Sequence, residues 1–157
     1  MTLTLSVSEI MMAANVGMRR NAAAIIEQRK ARFPERYPGE LWAFHIESAC
    51  AEIAVARALG MYWNGSINTF HQPDLPNKIE VRWSKLPAAK VRPDDNGVIV
   101  VSVTGQCPQY TIAGWCYSEF AKREEWKSRT EPLCYFVPHD KLSPLQELQQ
   151  PTQKEKN

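Results

Sequence analysis

No apolar stretch in the 157 residues approaches the roughly 18 needed to cross a bilayer, and Met1-Thr2-Leu3-Thr4-Leu5 lacks the basic-then-apolar order of a secretory signal. Both absences lead to the expectation of a cytoplasmic protein. Cysteine is sparse and scattered, at Cys50, Cys107, Cys116 and Cys134, with no CxxC pair and no histidine at zinc-site spacing. Reduced thiols are therefore expected. Charge of one sign is missing too: a formal net charge of +2 and a pI near 8.4 permit a nucleic-acid partner without arguing for one. There is no GxSxG, no phosphate-binding loop, no GxGxxG and no HExxH, so serine-hydrolase, nucleotide-binding and zinc-protease chemistry lack a foothold. His45, His71 and His139 lie far apart and read as surface or satisfied histidines, with His71 near enough to Asp74 to act as an accessory group.

With 44% hydrophobic residues, the chain suits one globular domain, since a domain of this size buries roughly 70% of its unfolded surface. The order of segments divides it into an N-terminal helical arm and linker (1–37), a core domain (38–145) and a disordered tail (146–157). The arm is expected from about Ser6 to Arg32. Ser6-Val7-Ser8-Glu9 has the form of a capping box, and Gly17 is expected to bend or divide the helix. Arg19-Arg20 and Arg29-Lys30-Arg32 make part of the arm basic, and a solvated face is preferred to phosphate contacts. The arm also offers a dimerisation element. Phe33 to Gly39, with two prolines and a glycine, reads as a linker.

From about Glu40 to Leu59 the pattern is again helical, ending at Gly60 where positive φ is easily adopted. At about 100° per residue, His45, Ser48, Ala49, Val55, Ala56 and Leu59 share a stripe with Glu52. A carboxylate on such a stripe costs several kcal/mol unless it is paired, hydrogen-bonded or metal-bound. A salt bridge to a basic residue such as Arg82 is one solution, and a cation is another. Glu47 points the opposite way and reads as a surface acid.

Met61 to Phe70, with Asn64-Gly65 inside it, suggests a strand or hairpin. In Lys78 to Ser84, apolar Ile79, Val81 and Trp83 alternate with Glu80, Arg82 and Ser84, so Glu80 and Arg82 share a face. Val98 to Val103 is apolar on both faces and reads as the central strand. Gln109–Tyr117 reads as another strand, Ser118 to about Lys127 as a short helix capped by Ser118, and Leu133 to Val137 as the last strand. The result is an α/β sandwich on a mixed central sheet.

Glu52 on the first core helix, Pro73-Asp74 before a strand and Glu80-Val81-Arg82 within it resemble the PD-(D/E)XK (restriction-endonuclease-like) nuclease superfamily. The stretches Glu52 to Gly60, Gly114-Trp115 and Tyr135-Phe136-Val137-Pro138 resemble its small phage and prokaryotic members, over about residues 40 to 145. The resemblance implies an αβββαβ core, a bacterial or phage-infected host cell, and magnesium-dependent hydrolysis of nucleic acid by a DNA endonuclease. Manganese is an expected substitute. Glu52, Asp74 and Glu80 would be both catalytic and metal-ligating, holding one or two Mg2+ ions through carboxylate oxygens, with the Val81 carbonyl as a further ligand. Arg82 stands where the motif has lysine. It can stabilise charge on a phosphate but cannot give up a proton near neutral pH, and this change motivates a second reading, a catalytically silent relative that binds DNA or a protein. Lys78, Lys85, Lys90 and Arg92 surround the strand and are candidate phosphate contacts, whereas Trp83, Trp115 and Trp126 are expected in the core.

Overall fold

The structure, a computed structural model, describes residues 1–29, 40–67 and 72–149. It is mixed α/β. The helices are α1 (Val7–Ile26), α2 (Leu41–Leu59), α3 (Ser118–Ala121) and α4 (Gln146–Gln149). The strands are β1 (Thr2–Thr4), β2 (Ile79–Trp83), β3 (Ala88–Val91), β4 (Ile99–Gln106), β5 (Gln109–Tyr117) and β6 (Tyr135–Pro138).

The capping box starts α1: Ser6 Oγ accepts the Glu9 N–H at 3.3 Å, and the Glu9 carboxylate accepts the Ser6 N–H at 2.6 Å. The same carboxylate pairs with Arg57 of α2 at 3.0 Å, tying the two helices together. Gly17 does not divide α1, which runs unbroken from Val7 to Ile26. A Cβ there would lie 2.6 Å from the backbone N and Cα of Ile46, so this glycine lets α1 approach α2 closely. α1 ends at Ile26, short of the expected Arg32, and the linker after it falls outside the described residues. Gly60 closes α2 at φ +65, as its sequence requires. Every residue from Ala49 to Ala56 is buried, because α1 covers one side of α2 and the sheet another.

The main sheet runs β1-β5-β4-β2. β2 and β4 are parallel, with Ile79 opposite Ile99 and Trp83 opposite Val103, while β4 pairs antiparallel with β5, so the sheet is mixed. On one face Ile79, Val81, Val101, Val103, Tyr110 and Ile112 pack with α2. On the other, Val100 and Cys116 pack with Ala89, Val91 and Val137 of a second, two-stranded sheet, β3-β6. β4 is thus apolar on both faces because a layer covers each of them.

Several expectations need correction. Met61 to Ile67 forms no strand; a turn in which Ser66 N–H donates to Asn64 Oδ1 at 3.1 Å occupies part of it, and Asn68 to His71 lie outside the described residues. The helix expected from Ser118 to about Lys127, α3, stops at Ala121 and is followed by a 3-10 turn, Glu124–Trp126; Ser118 lies inside its first turn and Tyr117 takes the cap position. The last strand joins β3, not the central sheet. β1 and β3, three and four residues long, carry no strand pattern in the sequence. Gln149, at the start of the expected tail, donates from Nε2 to the Ala58 carbonyl of α2 at 2.5 Å, while residues 150–157 lie outside the described residues. All four cysteines are free. Among the described residues no helix is long and apolar enough to cross a membrane.

Candidate active site

β2 ends the main sheet, and its free edge builds the site. The carbonyl of Lys78 and the N–H of Ser84 bond to Ile99 and Val103, so the even-numbered backbone groups face β4. The odd-numbered groups face outward. There Leu75 N–H donates to the Ile79 carbonyl at 3.0 Å, and Val81 N–H donates to Asp74 Oδ2 at 2.9 Å. Asn77 and Lys78, at φ 61 and 60, turn the chain between these two runs. Pro73-Asp74 therefore lies against the strand edge and is not a detached surface turn. The Val81 carbonyl leaves the strand on the same side as its N–H, toward Asp74.

Around this edge the three expected acids approach from different directions. Glu52 comes from α2, on the helix side of the sheet. Glu80 and Arg82 lie opposite Val100 and Ser102, whose face is covered by the β3-β6 sheet. Asp74 sits between them at the edge. Burial, followed by the Glu52 and Glu80 carboxylates, raises the Asp74 carboxyl well above the ordinary aspartate range; the Val81 N–H opposes this only in part.

The two outer acids are each held by an arginine. Glu52, 4% exposed, accepts Arg20 Nη1 at 2.6 Å, Arg20 Nη2 at 2.9 Å and Trp63 Nε1 at 2.8 Å. Its salt-bridge partner is thus Arg20 of α1 and not Arg82, and Arg20 is correspondingly turned inward instead of being solvated. Arg82 instead bridges Glu80 at 2.7 Å and Asp95 at 2.8 Å, while Asp95 Oδ2 also accepts the Arg92 N–H at 2.7 Å. Arg82 Nε is buried without a hydrogen-bond partner. Burial works against the charge on Arg82, but Glu80, Asp95 and Asp74 together push its pKa upward, so it stays ionised.

Glu52, Asp74, Glu80 and Asp95 thus face Arg20 and Arg82, four carboxyl groups against two guanidinium groups. That acidic excess, the all-oxygen donor set and the outward Val81 carbonyl suit a hard divalent cation. The set is not assembled around one point: among the described residues no group of three or more His, Cys, Asp or Glu is disposed to hold a metal ion. Three of the four carboxylates are already held by an arginine, Glu52 by Arg20 and Glu80 and Asp95 by Arg82.

Sequence reasoning missed Arg20, Trp63 and Asp95. Arg20 reads as one of a basic pair, Trp63 as a strand residue, and Pro93-Asp94-Asp95 as a common turn sequence. Asp95 is buried and bonded to Arg82 and to the Arg92 N–H, whereas its neighbour Asp94 is exposed. Glu47 is not an ordinary surface acid, since it accepts the hydroxyl of buried Tyr110 at 2.5 Å and the Cys107 N–H at 3.2 Å. Lys78 and Lys85 are exposed near the site strand, whereas Lys90 and Arg92 are half-buried. Trp115 is buried, and Trp83 and Trp126 are partly buried against the two cores, with Trp126 beside Phe120 and Arg123. His139 Nε2 pairs with Ser102 Oγ at 3.0 Å, a satisfied histidine, and burial lowers the pKa of His45. His71 lies outside the described residues. No protein-family model, no curated protein and no solved structure matches the chain.

Proposed function

We propose that the protein is a divalent-cation-dependent phosphodiesterase acting on nucleic acid, a DNA endonuclease built on a PD-(D/E)XK-like core. The observation that carries this reading is Asp74: a carboxyl group bonded to the β2 edge and destabilised as an anion first by burial and then by the Glu52 and Glu80 carboxylates. Like charges gathered at one edge are relieved by a cation. Glu52, Asp74, Glu80 and the Val81 carbonyl would hold Mg2+ or Mn2+. The bound ion supplies Lewis-acid polarisation of a phosphate and a more acidic water. Arg82, paired to Glu80 and Asp95, would add positive charge beside the acids and would move no proton, because its guanidinium does not deprotonate near neutral pH. The exposed Lys78 and Lys85 flank the strand on the solvent side and suit phosphate contacts that position the backbone.

The test is cleavage of single- and double-stranded DNA and RNA with Mg2+ or Mn2+ by the wild type, Asp74→Ala and Glu80→Ala. Cation-dependent cutting that falls by at least about a hundredfold in both variants supports the reading. Wild-type activity in both variants contradicts it. One observation favours a second reading, a silent relative that binds DNA or a protein: Arg82 is occupied by Glu80 and Asp95 together. Salt-sensitive DNA binding without cation uptake or cleavage would select that reading.

A further inference from the structure

We infer that Arg20 is a positioning residue that occupies Glu52 in place of a cation, so that helix α1 sets how tightly the acid cluster takes up a divalent ion. The inference rests on the cation reading of the cluster and goes beyond it, because Arg20 belongs to none of the three acid-bearing segments. Its geometry is fully committed: Nη1 and Nη2 each take one oxygen of Glu52, and Nε donates to the Ser66 carbonyl at 2.9 Å. Both carboxylate oxygens that a cation would use are thus covered by a fork whose shape matches them. The arginine side chain is only 16% exposed, so water does little to screen this competition.

Two opposing effects follow from removing Arg20. The carboxylate loses an orienting partner, which weakens a cation site, and the cluster loses a positive charge, which strengthens it. The second effect dominates because Trp63 Nε1 still holds Glu52 Oε2 at 2.8 Å and preserves its orientation. The position of Arg20 is itself fixed by packing. Gly17, one turn earlier on α1, lies against the Ile46 backbone, so α1 cannot slide over α2 to release the fork without separating the two helices.

Calorimetric titration of MnCl2 into the full-length chain tests this with the wild type, Arg20→Gln, Arg20→Lys and the neutral pair Arg20→Gln/Glu52→Gln, each checked for folding by circular dichroism. Binding at least about tenfold tighter in Arg20→Gln, about threefold tighter in Arg20→Lys, and no tightening in the double variant are expected. The conservative lysine variant separates charge from packing, since a merely structural arginine would not grade cation affinity in this order. Equal or weaker binding in Arg20→Gln, with the wild type still binding, overturns the inference and leaves the cation site standing. Should Arg20→Gln fail to fold, equal or weaker binding in Arg20→Lys overturns it in the same way. Absence of Mn2+ binding in every protein overturns the cation reading and this inference together.

Discussion

The Val81 N–H and Asp74 Oδ2 are 2.9 Å apart, and this bond fastens a carboxylate to the edge of β2 that faces away from β4. Asp74 gains one donor there and pays for it with burial beside two further acids. Its proton affinity therefore reports directly on the cluster.

Asp74→Asn keeps an acceptor for Val81 and removes the charge. In the wild type the folded carboxyl holds its proton to higher pH than the unfolded one, whose ordinary value is about 3.9. The folded state then binds more protons, so stability falls as pH rises from that ordinary value toward the raised one, and levels off above it. Urea midpoints from about pH 4.5 to about pH 8 in EDTA should show this fall in the wild type and a flatter profile in Asp74→Asn. Parallel profiles would show that Asp74 is not held in its raised state.

Gly17→Ala tests the contact between the helices. Alanine favours a helix over glycine by about 1 kcal/mol, but the new Cβ meets Ile46 backbone atoms at 2.6 Å, and backbone cannot swing aside. Overpacking of about 1–3 kcal/mol should win, giving a net loss near 1 kcal/mol in denaturant unfolding. A gain in stability would mean that α1 and α2 are further apart than described.

Asp95→Ala removes one of the two carboxylates around buried Arg82 together with the acceptor for the Arg92 N–H. Because Glu80 still pairs with Arg82, the loss should be about 3 kcal/mol, at the lower end for breaking a buried ion pair. Asp95→Asn, which retains an acceptor, should lose about half as much. Chemical unfolding of both variants measures the difference, and equal losses would assign the whole effect to the lost charge beside Arg82 and none to the turn.

Much of this architecture is local in origin and could be read from the chain. Ser6 and Glu9 announce the start of α1, Gly60 the end of α2, and the alternation of Ile79, Glu80, Val81 and Arg82 the face on which the acid and arginine meet. The inward turn of Glu52 also followed from helical spacing. Its partner did not, because Arg20 lies 32 residues away on another helix and no periodicity couples the two. β1 and β3 are three and four residues long, too short to establish a pattern, and each is fixed by a distant strand, β5 or β6. Trp63 read as a strand residue because aromatic residues favour strands, yet its indole is held by Glu52 in irregular backbone.

Anomalous scattering from crystals soaked in MnCl2 tests the central claim most directly, since it locates the ion without relying on activity. The account predicts a manganese peak at the β2 edge, about 2.0–2.3 Å from carboxylate oxygens of Asp74 and Glu80. A well-ordered crystal with manganese bound elsewhere, or with none at this edge, would contradict it.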